Sequence, residues 1–388
     1  MAPALAALGV LVVSLDSAVN IAFPAMSEAF GAGPTSIKWV VITYVLTYAL
    51  MSYAAGSLAD RVGHAPVFVA GLWLTAASLI ACGLASSFGW FLGFRVAQGV
   101  GGGLVYGTSP ALVTLSLPAD KRGQGLGLFT LGMGAGFALG PLVGGLLVDW
   151  LGWRWVYLFR APLALALAIG SVLALRGIHR GTAGWHLIPL REALRPTVLL
   201  ANGLALLANL AQFAIWLLVP YYLVDVLGLS AIAGGLLFML TPLGTAAAAP
   251  LSGWATDRFG GRLLVTLGLA AESIGLLLIS RLEAQSALAE VGVSLALVGL
   301  GLGIFQVPNM SLVMASFPAS QQGGAGGMIL MSRTLGVLAG VSLASAIFGA
   351  LSGSLGFLPA FNAAFLVSGA VSLFALLISL LLPARRLS

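Results

Sequence analysis

Twelve apolar runs, most of about 20 residues or more, constrain this chain more than any other feature. Their approximate limits are 3–24, 37–57, 66–86, 90–114, 124–147, 155–175, 197–221, 231–253, 263–281, 287–314, 325–348 and 359–382. A run of this length matches the roughly 20 residues that an α-helix needs to cross a bilayer core. The 388 residues are 60% hydrophobic and only 7% charged, whereas soluble domains carry about 25% charged residues. The solvent for most of the chain is therefore lipid. A closed β-barrel would alternate polar and apolar residues in segments of about ten. The runs here are continuous, so the predicted fold class is an all-α membrane protein of twelve transmembrane helices.

The charges give the orientation. Arg61, Lys121, Arg122, Arg176, Arg180, Arg191, Arg195, Arg258, Arg262, Arg385 and Arg386 fall in one set of loops; Lys38, Arg154 and Arg281 fall in the other. Basic loops stay in the cytoplasm, so both termini are expected there. The net charge of +6 is thus read as a topology signal, and no nucleic-acid partner is expected. The first run has no basic leading region and is interrupted by Asp16 and Asn20, so it reads as a retained helix rather than a cleaved signal peptide. Cys82 reads as a small buried side chain. His64, His179 and His186 fall in predicted loops without ligand spacing, so no metal and no cofactor are expected.

The chain repeats itself. "SLPADKRGQGLG" at 116–127 matches "SFPASQQGGAGG" at 316–327, and Gly99, Gly101 and Gly103 match Gly299, Gly301 and Gly303, both at an offset of 200. "GSLADRVG" at 56–63 matches "GWATDRFG" at 253–260, at an offset of 197. The expected organisation is two related six-helix bundles, 1–175 and 197–388, joined by a cytoplasmic linker at 176–196 with a short surface helix at 189–195. Parallel repeats of this kind place a substrate site between the halves, near the midplane.

Four stretches carry a family resemblance over the full length. "LDSAVNIAFP" (15–24), "GSLADRVGHAP" (56–66), "FRVAQGVGGG" (94–103) and "GMGAGFALGPLVGG" (132–145) together resemble the signatures of major facilitator superfamily transporters, most closely the drug:proton antiporters. The resemblance implies alternating access around a central cavity in a bacterial cytoplasmic membrane. The expected partners are a small-molecule substrate, protons and the bilayer, and the chain is read as a monomer and not as an enzyme.

The fourth stretch would be a poor helix in water, where each interior Gly costs roughly 0.5–1 kcal/mol against Ala. In lipid, small residues let helices approach closely. Gly132, Gly136, Gly140 and Gly144 lie nearly along one stripe, bent at Pro141. Segment 8, with "GTAAAAPLSG" at 244–253, is the expected partner, because in the family these helices face each other. Ordinary tight packing is the alternative. In the cytoplasmic loops the resemblance makes Asp60 and Asp257, beside Arg61 and Arg258, latches onto the starts of segments 11 and 5. His64 and Ala65 stand where the family usually has two basic residues.

Ionisable groups at membrane depth are costly and usually functional. Here they are Asp16, Arg95, Arg160, Glu272 and Arg333, with Asp225 expected at the outer rim. Asp16 precedes Pro24 by eight residues, about 12 Å, and Arg95 follows Trp90 by five, about 8 Å, so the two share a depth. They are the expected proton-coupling pair: a carboxyl beside an arginine holds or releases a proton according to their separation. A static ion pair is the competing reading. Arg160 and Glu272, on segments 6 and 9, which are peripheral in the family, read as a buried structural pair or an interface anchor. Asn20, Tyr44, Tyr48, Asn202, Asn209, Gln212, Gln306, Asn309 and Arg333 are the expected cavity lining.

No phosphate-binding G-x-x-x-x-G-K-[ST] loop is present, which argues against ATP-driven transport by this chain. Proton-coupled export of hydrophobic or amphiphilic small molecules is the expected function. A carrier of organic anions or lipid-like molecules is the alternative, because Arg exceeds acid at depth. A non-transporting receptor or structural protein is the remaining class.

Overall fold

The computed structural model describes residues 2–117, 122–175, 191, 194–317 and 322–382; most of the expected linker lies outside them. The elements are helices throughout. They run α1 (Ala2–Ser14), a 3₁₀ turn (Leu15–Ser17), α2 (Ala18–Ile21), α3 (Phe23–Phe30), α4 (Pro34–Val62), α5 (His64–Gly83), α6 (Phe88–Leu115), α7 (Arg122–Leu151), α8 (Trp155–Leu158) and α9 (Arg160–Ala174). After these come α10 (Pro196–Tyr221) with a π turn (Tyr222–Val226), α11 (Ala231–Phe238), α12 (Leu240–Phe259), α13 (Gly261–Ile279), α14 (Leu288–Met314), α15 (Gln322–Leu355) and α16 (Phe357–Ser379).

Among the described residues, 11 segments are long and apolar enough to cross a membrane. The twelfth crossing is α6, whose 28 residues are long enough but include Arg95, Gln98 and many glycines. Several helices outrun their apolar runs. The second run, for example, ends near 57, whereas α4 continues to Val62, because a helix emerging from lipid does not stop where its sequence turns polar. His64, expected in a loop, is instead the first residue of α5 and is buried. Gly63 before it has φ +101°, and Gly260 in the matching loop has φ +88°, so both "DR-x-G" turns need a residue without a Cβ.

The chain forms two compact units, residues 1–185 with 230–235, and residues 186–229 with 236–388. The repeated glycines do the same packing work in each. In the first unit, a Cβ on Gly99 would lie 2.8 Å from the Tyr44 carbonyl oxygen of α4, one on Gly103 would lie 2.6 Å from Met51, and one on Gly101 would lie 2.7 Å from Thr75 of α5. In the second, Gly299 and Gly303 lie against Thr241 and Thr245 of α12, and Gly301 against Gly268 and Glu272 of α13. Glycines two apart on one helix thus press alternately on two neighbours, and a methyl group at any of them would collide with backbone.

Candidate functional site

Asp16 sits in the one-turn 3₁₀ interruption between α1 and α2, a local tightening often found at functional positions. Its carboxylate is gripped from two other helices. Arg95 of α6 donates from Nη1 to Oδ1 at 2.8 Å and from Nη2 to Oδ2 at 2.9 Å, a bidentate fork. Gln98, one turn along α6, donates from Nε2 to Oδ1 at 2.9 Å and accepts from Arg95 at 2.8 Å. Arg95 also donates from Nε to the Val40 carbonyl at 3.1 Å. The side chain of Asp16 is 12% exposed and that of Arg95 only 2%.

Arg160, on a segment expected to be peripheral and read as a buried structural pair or an interface anchor, joins the same carboxylate: its Nη1 donates to Asp16 Oδ1 at 3.0 Å, and its side chain is 1% exposed. A signal for this was present. "WFLGFR" (90–95) and "WVYLFR" (155–160) place each arginine five residues after a tryptophan, so the depth argument that brings Arg95 to Asp16 applies equally to Arg160. Two guanidinium groups therefore share one carboxylate.

Aromatic rings wall the cluster. Arg95 lies over Tyr44, 4.3 Å from the ring centroid. Tyr44 stacks on Tyr48 at 6.0 Å, and Tyr48 meets Tyr106 edge-on at 5.1 Å. Tyr106 in turn hydrogen-bonds Ser14 at the end of α1. Tyr157 lies near both arginines, 5.9 Å from Arg95 and 5.5 Å from Arg160. Tyr44 and Tyr48 thus pack at the ion-pair cluster, whereas Asn20 donates locally to the Ser17 carbonyl at 3.0 Å.

Gly132, Gly136, Gly140 and Gly144 support this turn from behind. They lie against α1, the 3₁₀ turn and α2: Gly132 on Ala7, Gly136 on Leu11 and Ser14, Gly140 on Ser17, and Gly144 on Ala18 and Ile21. Ser17 donates to the carbonyls of Gly136 and Phe137, both at 3.2 Å. The segment 230–235, which belongs to this unit, meets α7 elsewhere, Ala231 at Gly145 and Gly235 at Pro141. Asp149 of α7 accepts the N–H groups of Ala231 at 2.9 Å and Ile232 at 2.8 Å, capping the start of α11.

In the second unit the expected lining residues mostly bind their own helices. Asn202 donates to Val198 at 2.9 Å and accepts from Ser332 at 3.0 Å; Asn209 donates to Ala205 at 2.8 Å and accepts from Gln212 at 3.4 Å. Asn309 donates to the Ala201 carbonyl at 3.0 Å, and Gln306 and Arg333 are half-buried. Glu272 is fully buried, without a normally formed hydrogen bond to either oxygen. The side chains of Asp60 and Asp257 lie outside the described residues, and Arg61 and Arg258 are exposed. Among the described residues no group of three His, Cys, Asp or Glu side chains is placed to hold a metal ion.

The sequence profile of the Major Facilitator Superfamily matches residues 5–200 and 201–387. Among similar proteins, the riboflavin transporter RibZ of Clostridioides difficile is 24% identical, the match covering 88% of this chain and 86% of that protein. The tetracenomycin C resistance and export protein of Streptomyces glaucescens is 29% identical, over 90% and 75% respectively. The multidrug resistance protein Stp of Mycobacterium tuberculosis is 28% identical, over 88% and 74%. In fold, the chain is similar to a bacterial homologue of the human lysosomal transporter Spinster, in an inward-facing and occupied conformation, with a TM-score of 0.84 and 16% identity over 98% of this chain and 95% of that one.

Proposed function

This chain belongs to the major facilitator superfamily, and from that premise we propose that it is a proton-coupled secondary transporter exporting hydrophobic or amphiphilic small molecules by alternating access. The observation that carries the reading is the Asp16–Arg95 fork, a carboxylate within the membrane span on a broken helix and within reach of tyrosine rings. A proton on Asp16 would release the fork, and re-forming the fork would expel the proton, so helix movement and proton binding become one event. The relatives named for resistance and export support the outward direction. Both termini and the segment 176–196 are placed in the cytoplasm, as the basic loops argue. Asn202, Asn209, Gln212, Gln306, Asn309 and Arg333 remain the proposed lining from the second unit. Asp60 and Asp257 remain the proposed cytoplasmic latches.

The second reading, a carrier of organic anions, is favoured by the additional Arg160 on the same carboxylate. The test common to both is reconstitution into proteoliposomes with an imposed pH gradient and a panel of cationic, neutral and anionic amphiphiles. Uphill movement of a panel member that collapses with the gradient is the expected result. Flux that ignores the gradient would remove proton coupling, and absence of any protein-dependent flux would favour a receptor or structural role.

A further inference from the structure

We propose that the Arg95–Asp16–Arg160 cluster is a binding site for a monovalent anionic group, an inference that rests on reading the chain as a carrier of amphiphilic small molecules and narrows its cargo. The first argument is charge. Asp16 is the carboxylate paired with both arginines, so one positive charge is left over among buried side chains. An uncompensated charge removed from water is among the costliest features a fold can hold. The other groups around it are Gln98 and the thiol of Cys82, whose Sγ is 4.0 Å from Gln98 Oε1, together with the phenols Tyr44 and Tyr157. None of these supplies a counter-charge.

The second argument is the donor inventory. A guanidinium has five N–H groups. Arg160 uses Nε on the Val156 carbonyl at 3.0 Å and Nη1 on Asp16, while its Nη2 is buried with no partner. The hydroxyl of Tyr157, three residues earlier, is likewise buried with no partner. Buried polar atoms without partners are rare in folded proteins. Here two such donors accompany one excess positive charge. A neutral guest would satisfy the donors and leave the charge, and a cation would add to it. An anion answers both. Asp16, the most exposed of the three charged side chains, marks the side from which a guest arrives.

The anion has two possible sources, a free halide or the head of an amphiphilic substrate. The test uses the full-length protein in non-ionic detergent and measures binding of decanoate, its neutral counterpart decanamide, and sodium chloride against sodium gluconate. Decanoate is expected to bind at least about tenfold more tightly than decanamide, the lower end of what a charge-assisted hydrogen bond contributes. Arg160→Gln is expected to bring the two within about twofold, and Tyr157→Phe to weaken decanoate while sparing decanamide. Where Arg160→Gln does not fold, Arg160→Lys replaces it: charge is kept but the fork is lost, and decanoate should weaken while retaining its preference. Chloride binding that vanishes in the arginine variant, without a decanoate preference, assigns the site to the free ion. Equal affinity for decanoate and decanamide with no chloride binding, or a decanoate preference untouched in both the Arg160 and Tyr157 variants, overturns the proposal. Gradient-driven flux without anion preference would sink this inference alone. Anion preference without any flux would sink the transporter reading alone.

Discussion

Ser17 donates its hydroxyl to the carbonyl oxygen of Phe137 at 3.2 Å, and Phe137 stands four residues before Pro141. In an uninterrupted helix that carbonyl would accept the N–H of residue 141, but proline has none. In lipid a freed backbone carbonyl must find a donor inside the protein, and Ser17 supplies it from the residue next to Asp16. The proline of the glycine stripe and the turn that carries the carboxylate are therefore one device. Ser17→Ala is expected to lose about 1–2 kcal/mol, the cost of an unsatisfied buried acceptor. The same change in a Pro141→Ala background, where the helix repairs itself, is expected to cost clearly less. Thermal unfolding of the four proteins in detergent measures the difference, and strictly additive shifts would refute the link.

The stripe can be tested by position. A side chain at Gly136 would run into Ser14 and the Leu11 carbonyl, 2.5 and 2.7 Å from a built Cβ, whereas Gly134 has nothing within 4 Å. Gly136→Leu is expected to insert into the membrane but lose at least about 1–3 kcal/mol together with transport. Gly134→Leu should behave as wild type. Equal behaviour of the two would show that packing on α1 is not what the glycines serve.

Removing the carboxylate separates coupling from architecture. Asp16→Asn leaves two buried guanidinium groups without their counter-ion, a break expected to cost about 3–5 kcal/mol. Asp16→Asn with Arg160→Gln removes one of those charges and should recover part of the melting temperature. As our hypothesis for coupling, neither variant should drive uphill transport from a pH gradient. Wild-type proton dependence in the double variant would rule Asp16 out as the proton carrier.

The cap on α11 is a smaller effect with a clean control. Asp149 holds the N–H groups of Ala231 and Ile232, while Ser230 accepts that of Ala233 at 3.2 Å. Asp149→Ala is expected to lower stability by about 0.5–2 kcal/mol, as for other lost caps, and Asp149→Asn by less, since one acceptor remains. A silent alanine variant would mean that solvent serves those groups equally well.

Topology is checked with an impermeant thiol reagent in a Cys82→Ala background. Cysteines at Gly33 and Ser354, both exposed, should react from outside, and one at Arg191 should not. The opposite labelling would invert the orientation drawn from the basic loops.

The helices and the Asp16–Arg95 pair were legible because both follow from rules along one dimension: apolar length, and depth counted from a helix end. Arg160 obeyed the same depth rule, but the resemblance assigned its segment to the periphery, and only packing shows that α9 turns this side chain inward. The stripe shows the limit in another way. Glycine every fourth residue announces that something approaches closely, but spacing on one helix cannot say which other helix does so; in this unit it is α1 that the stripe meets. The 3₁₀ turn at Leu15–Ser17 carries no proline or glycine; it is bound up with what Asp16 and Ser17 reach from it.

Two guanidinium groups on one carboxylate also mean that the protein itself holds a net charge inside the membrane. An elementary charge moved through the full field is worth about 2.3 kcal/mol per 100 mV. We therefore expect the membrane potential to act on the empty protein as it resets, and to let the protein pass unhindered once a monovalent anion has neutralised the cluster. The step that feels voltage would be the return without cargo. Turnover in vesicles clamped with valinomycin and potassium should change with potential in the wild type and much less in Arg160→Gln. Identical voltage dependence in the two would show that the extra charge stays fixed in the field while the helices around it move.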